Sequence, residues 1–235
     1  MAADISLRKS IRWLPHPASE PTSTIVLTSP ERRFVDIRVF LPLPSSSPDI
    51  PLEKLDWAIG GHSTSSPVTN PATKEVEYSH CVWHHWIDSR VNSADVAADE
   101  GDNYSVEGRP ELTLEKGRMV NPGSGEVGEY EEVWEAGGLR RWGEWRGLRG
   151  MVVRLGGYVQ GFLRDGEGIR VERWVWDGER GVWERKIRIG SGKLEGGNGV
   201  IPVEFVTEVG GQMEIGDEVV AEGGRRWRVV EKSLA

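Results

Sequence analysis

The chain has 235 residues, 37% of them hydrophobic and eleven of them tryptophan, which excludes a disordered composition and suffices for one large core or two small ones. A formal charge of −8, with arginines interleaved among glutamates, argues against a concentrated basic stripe, so nucleic acid is not an expected partner. No run approaches 18 apolar residues, so no helical membrane span is expected, and the single cysteine, Cys81, allows no internal disulfide. The N-terminus lacks an apolar h-region, and the default expectation is cytoplasm, with entry to the nucleus by size.

In chain order the elements read as nearly all β. TSTIVLT (22–28) and RFVDIRVF (33–40) are short β-branched or alternating segments, and the LPLPSSSPDIP stretch that follows cannot continue a helix or a central strand. LDWAIGG, VEYSHCVWHHWI, LTLEKGRMV and GEYEEVWE come next. MVVRLGGYVQGFL is followed by GIRVERWVWDGERGVWERKIRIG, a hairpin expected to turn near Asp177 and Gly178. IPVEFVTEV, QMEIGDEVVAEGG and RRWRVVEK complete the strand-like segments. EKLDWAI and ADVAADEG are the only helix candidates. Of the glycines, only Gly60 and Gly61 precede residue 101, whereas twelve of the thirteen prolines lie at or before Pro122. That predicts longer Pro/Ser loops first and tighter turns later.

Three echoes keep their order along the chain. LEKG from Leu114 matches MEIG from Met213, each leading to a strand with a tryptophan, Trp134 or Trp227. LDWAIGG matches VVRLGG, and the strand of Trp83 and Trp86 matches that of Trp174 and Trp176. These echoes predict an internal duplication, with units over 1–135 and 138–235. About a hundred residues of antiparallel strand suit a closed barrel or a sandwich, and closure would remove exposed edges.

SLRKSIRWLP, EPTSTIVLTSPERRFVDIRV, LDWAIGG, WHHWIDSR, DEGDNY and YEEVWE are ordered blocks across nearly the whole chain. In these blocks the sequence resembles a fungal family named for a yeast protein that interacts with a casein kinase 1 homologue. The resemblance implies an all-β tandem pair of lipocalin-like (calycin-like) barrels, a cytosolic and nuclear location, and a casein kinase 1-type kinase as partner. It implies no enzymatic activity and carries over no functional residue.

The stretch CVWHHWIDSR (81–90) gathers the chain's chemistry most densely. In an extended strand His80, Val82, His84 and Trp86 share one face, and Cys81, Trp83, His85 and Ile87 the other. Residues four apart on a strand lie on the order of 13 Å from each other, too far to ligate one ion without a bulge or help from His16 or His62. No metal or cofactor is therefore expected, and Cys81 reads as a small buried hydrophobe. Packing in the barrel wall is one reading of the tryptophans. The other is a small apolar ligand cavity lined by Trp57 and Trp83, with His85 as a polar fixing group.

Trp174 and Trp176 suit either packing between units or a partner surface. Arg141, Trp142 and Trp145 in LRRWGEWRGLRG fit a hinge between units or an arginine-rich docking surface. Asp56, Asp88, Asp99, Glu100, Asp102 and Glu132 are the carboxylates considered for acid–base chemistry, and no motif selects a pair among them. No phosphate-binding glycine turn, G-x-S-x-G, H-E-x-x-H or paired C-x-x-C is present. The expected function is a non-enzymatic interaction protein; the alternatives are a lipocalin-like binder of a small apolar ligand and a cofactor-independent isomerase or cyclase.

Overall fold

Alternation of side chains decides the architecture, as a computed structural model describing residues 3–44, 47–92, 97–137, 142–147, 149–194, 200–209 and 212–232 makes plain. Eight strands are hydrogen-bonded neighbour to neighbour: β1 (Asp4–Trp13), β2 (Thr22–Thr28), β3 (Arg33–Phe40), β4 (Leu55–Thr69), β5 (Val76–Asp88), β6 (Ala98–Ser105), β7 (Leu112–Val120) and β8 (Val127–Gly137). Antiparallel pairing of β8 with β1 closes them into a barrel. The remaining strands are β9 (Trp142–Gly147), β10 (Gly150–Leu155), β11 (Tyr158–Asp165), β12 (Gly168–Asp177), β13 (Val182–Gly190), β14 (Glu218–Ala221) and β15 (Arg225–Lys232). They form one sheet in the order β13-β12-β11-β10-β9-β15-β14.

On β3 the period of two sends Val35, Ile37 and Val39 to the outside of the barrel, where all are fully buried. They pack, with Leu27 and Ala58, against Met151, Val153, Phe162, Val171, Ile187 and Ile189 of the second sheet. Each such side chain contributes about 1.5–3 kcal/mol by leaving water, so this seam is the main core of the molecule. Two polar side chains cross it. Gln160 Nε2 donates to the carbonyls of Ile25 and Val35, both at 2.9 Å, while its Oε1 accepts from Arg173 Nε at 2.7 Å. Arg173 also reaches the Ile37 carbonyl at 2.7 Å and Ser23 Oγ at 2.8 Å, and burial pushes its pKa down to about 10. With these partners, burying the pair is tolerable and fixes the register of sheet on barrel.

The other face of the second sheet is also apolar. Val152, Val159, Leu163, Trp227 and Val229 are covered by Val200, Ile201, Val203 and Val206 from the chain between β13 and β14. IPVEFVTEV, expected as a strand, is that cover and is helical, with a π-turn at Phe205–Val209. Val206 N bonds the Pro202 carbonyl at 3.0 Å, and Val203 and Val206 are buried while Glu204 and Phe205 are exposed. A spacing of three selects helix here over β-propensity.

The expected second barrel is not closed among the described residues, where β13 and β14 are the ends of the sheet. β14 has only four residues, and the segment before it lies across the sheet instead of extending it. LRRWGEWRGLRG, read as a hinge or a docking surface, supplies β9, which pairs with both β10 and β15. EKLDWAI holds only a 3-10 turn at Leu52–Lys54 before β4 begins. The echoed peptides occupy unlike settings: Gly60 and Gly61 lie inside β4, whereas Gly156 (φ 52) turns the β10–β11 hairpin. Likewise LEKG lies in β7, and MEIG is the turn before β14.

Candidate functional site

The strand faces left over from the seam point into the barrel. Because β3 places its aliphatic residues outside, Phe34, Asp36 and Arg38 face in. By the same alternation β8 contributes Tyr130, Glu132, Trp134 and Ala136, and β7 contributes Thr113, Glu115 and Met119. These residues surround a cavity of about 190 Å³. Asp4 and Ser6 of β1, and Asp99 and Asn103 of β6, complete much of its polar wall; Val26, Ile59, Cys81 and Trp83 supply apolar wall. The lumen is therefore mixed, with ionisable groups where a small barrel ordinarily has hydrophobes.

Most of those ionisable groups are paired. Arg8 Nη1 donates to Glu132 Oε1 at 2.6 Å, and Arg8 also holds Glu20 (2.9 Å) and Thr22 (2.6 Å). Arg38 sits 2.8 Å from Asp36 Oδ2 and 3.5 Å from Glu132 Oε1, and lies over the Trp57 ring at 5.2 Å from its centroid. Glu115 has a different environment: its Oε1 accepts the Tyr130 hydroxyl proton at 2.7 Å. Burial, then the neighbouring Glu132, pushes the Glu115 pKa up to about 8, despite Tyr130 and Arg38. Gly117 makes this possible, since a Cβ there would stand 2.6 Å from Tyr130 Oη.

Several buried polar atoms at the lumen lack a hydrogen-bond partner among the described residues: Asp36 Oδ1, Asn103 Oδ1 and Arg32 Nε. Trp134 Nε1 is close to Glu115 but completes no well-formed bond with it. Buried groups of this kind ordinarily bond to something. The wall thus offers two acceptors and at least one donor to whatever occupies it.

Of the residues singled out in the sequence as a ligand cavity, Trp83 lines the lumen. Trp57 packs with the lining residues Phe34, Ile59 and Trp83 but does not itself line the cavity, and His85 lies beside it. The Trp57 and His85 rings meet edge-on at 5.8 Å, Trp57 Nε1 donates to Asp88 Oδ1 at 2.9 Å, and His85 Nδ1 lies 2.8 Å from Asp88 Oδ2. His85 Nε2 faces Asp99 at 3.3 Å. Burial would lower the His85 pKa, but Asp88 and then Asp99 override it and push it up to about 9. The imidazole is thus held as a cation between two carboxylates.

A β-bulge between Gly60 and Gly61 explains a departure from simple alternation. Cys81 and Trp83 face inward, but Ile87 turns out to the seam. At Gly61 a Cβ would fall 1.9 Å from the His84 carbonyl oxygen, so the bulge requires glycine. Among the described residues no group of three or more His, Cys, Asp or Glu side chains is placed to hold a metal ion.

On the second sheet Trp174 is half-buried, donates to Glu172 Oε2 at 2.9 Å and lies under Arg185. Trp176 is 43% exposed and meets Trp183 edge-on at 5.6 Å. Arg141 lies outside the described residues, and Trp142 and Trp145 are described only as positions on β9. The sequence reading missed Asp36, Arg38, Glu115 and Tyr130. For Asp36 and Arg38 the signal was present in the alternation of FVDIRVF, but it yields the site only once the aliphatic face is known to lie outside the barrel.

These features define a class: an all-β protein whose closed, polar-lumened barrel packs its outer wall against a second sheet. Within that class the chain belongs to the family described as Protein HRI1, whose sequence profile matches residues 4–231. The crystal structure of the uncharacterized protein YLR301w from Saccharomyces cerevisiae is similar, with TM-score 0.71 and 15% identity over 100% of both chains. At that identity the likeness concerns the fold. No curated protein sequence matches the chain. No helix among the described residues is long and apolar enough to cross a membrane.

Proposed function

We propose that this chain is a non-enzymatic β-barrel protein that holds a small molecule in the lumen of its first unit, in the manner of a lipocalin. The observation that supports this reading is the cavity of about 190 Å³ whose wall includes buried polar atoms without partners among the described residues. A dry apolar cavity of about 150 Å³ accommodates benzene, so a molecule of one ring is the right scale. The mixed wall favours an amphipathic ligand over the purely apolar one expected from the tryptophans. Native mass spectrometry of freshly purified protein tests the reading. A stoichiometric small-molecule adduct supports it; bare protein, with the lumen filled by ordered water in a crystal, refutes it.

A second reading concerns partners. The family resemblance suggests association with a casein kinase 1-type kinase, in cytoplasm and nucleus. The exposed Trp176, edge-on to Trp183, is a surface suited to such a contact. Pull-down of the kinase by wild type, with loss in Trp174→Ala/Trp176→Ala, is the expected result. Equal capture by both proteins removes these tryptophans from the interface.

A further inference from the structure

We infer that the occupant of the barrel lumen is a small organic cation, an amine on an apolar body the size of a single ring, seated with its charge among Glu115, Asp36 and Glu132. This inference rests on the lumen-binding reading above and adds the chemical class of the ligand.

The number of carboxylates among the lining residues is the first reason. Asp4, Asp36, Asp99, Glu115 and Glu132 are carboxylates of the cavity wall, against Arg32 and Arg38 as its cationic side chains among the described residues. Arg38 is already engaged by Asp36 and Glu132; Arg32 keeps one buried Nε without a partner among the described residues, against two such acceptors, Asp36 Oδ1 and Asn103 Oδ1. Arg8 and His85, which do not line the cavity, pair with Glu132 and Asp99, so the open acceptor capacity of the wall lies at Asp36 and beside Glu115.

Asp36 is the second and independent reason. Its residue is only 4% exposed, its Oδ2 is held by Arg38, and its Oδ1 has no hydrogen-bond partner among the described residues. An acceptor of that kind calls for a donor, and an ammonium offers three. Asn103 Oδ1 is a further acceptor on the wall without a partner among the described residues. The aromatic side chains of Phe34, Trp83 and Tyr130 also line the cavity, and aromatic rings favour a desolvated ammonium.

Glu115 supplies a signature that distinguishes a cation from a neutral ligand. The groups acting on it are Glu132, Tyr130 and Trp134 of β8 and Arg38 of β3. With its pKa pushed up to about 8 by burial and then by Glu132, this carboxyl is mostly protonated near neutrality. A cation arriving beside it favours the carboxylate, so binding an amine drives a proton off Glu115 into solvent. A neutral molecule has no such effect.

The probes are benzylamine, benzyl alcohol and benzoate, matched in size and differing in charge. Calorimetry near neutral pH, in two buffers with different heats of ionisation, reads affinity and proton count together. Benzylamine is expected to bind at least about tenfold more tightly than either control. It is also expected to release close to one proton per molecule bound. Glu115→Gln keeps an acceptor for Tyr130, and should abolish the proton release and weaken benzylamine about tenfold. Because the proton count is read on wild type, poor folding of the variant does not spare the inference. Preference for benzyl alcohol or benzoate, failure of benzylamine to bind, or binding without proton release overturns the cation assignment. The lumen reading survives those results if native mass spectrometry finds another retained molecule, and falls only if it finds none.

Discussion

The lumen of the barrel and the seam between barrel and sheet are built from the same strands, yet their chemistry is opposite. Along β3, Val35, Ile37 and Val39 enter the seam while Asp36 and Arg38 enter the lumen. The seam carries the cohesive energy of the molecule, and its polar members, Gln160 and Arg173, bond to backbone carbonyls across it. Charges in the lumen face each other at close range, and burying such pairs costs desolvation that their attraction repays only in part. A barrel that moves its aliphatic residues to the outer wall is released from the need to fill its interior with them. What it gains is a polar chamber; what it requires is a second sheet to cover the wall.

The sharpest break of that comparison lies in the seam. Phe162 is fully buried there, and Phe162→Ala should cost about 3–5 kcal/mol. Barrel and sheet should then lose structure in a single earlier thermal transition; independent melting of the two would show that the seam does not join them. In the lumen, Arg8→Met strips Glu132 of its closest cation and should cost about 3 kcal/mol. Arg8→Met/Glu132→Leu should recover much of that loss in chemical denaturation, since it removes the stranded charge along with its partner.

Next comes a pH test. Glu115 is raised from 4.5 to about 8, so the folded state binds its proton more tightly than the unfolded state does. The resulting stability is present below about pH 4.5 and is lost as pH rises through 8, a change on the order of a few kcal/mol. His85, raised from 6.5 to about 9, acts with the same sign, its share lost as pH rises from 6.5 through 9. Denaturation midpoints of Glu115→Gln should therefore fall less steeply with pH than those of wild type, and an unchanged slope would contradict the buried protonated acid.

The smallest expected effect is at Gly117. Gly117→Ala places a methyl against the Tyr130 ring and should cost about 1–3 kcal/mol. It should also disturb the Tyr130–Glu115 bond enough to lower benzylamine affinity; a structure with that bond intact would show that the ring has room to move.

How much of this was legible in the sequence differs between the same two regions. TSTIVLT and RFVDIRVF coincide with β2 and β3, and the hairpin turning at Asp177 and Gly178 joins β12 to β13. These segments announce themselves because alternation and turn residues are local. Alternation shows that two faces differ, but it does not say which of them lies inside a closed sheet. The lumen was therefore sought at the tryptophans, and Trp57 and His85 proved to be engaged with Asp88 beside the cavity. DISLRKSIRW and ADEGDNYS, the strands β1 and β6, carry so many polar residues that they do not read as strands alone. Their polar side chains make sense only against a polar interior, which is a tertiary fact. The cover over the far face of the second sheet was likewise hidden, because IPVEFVTEV has the composition of a strand and the burial spacing of a helix.

The aliphatic outer wall also has a consequence for biogenesis. During synthesis β2, β3 and β4 leave the ribosome before Met151, Phe162 and Val171, the residues that will cover them, have been made. At about 5–20 residues per second, the roughly hundred residues between leave that greasy flank bare for on the order of ten seconds. A nascent chain in that condition is a client for holdase chaperones. The N-terminal half expressed by itself should self-associate through the flank that the sheet normally shields.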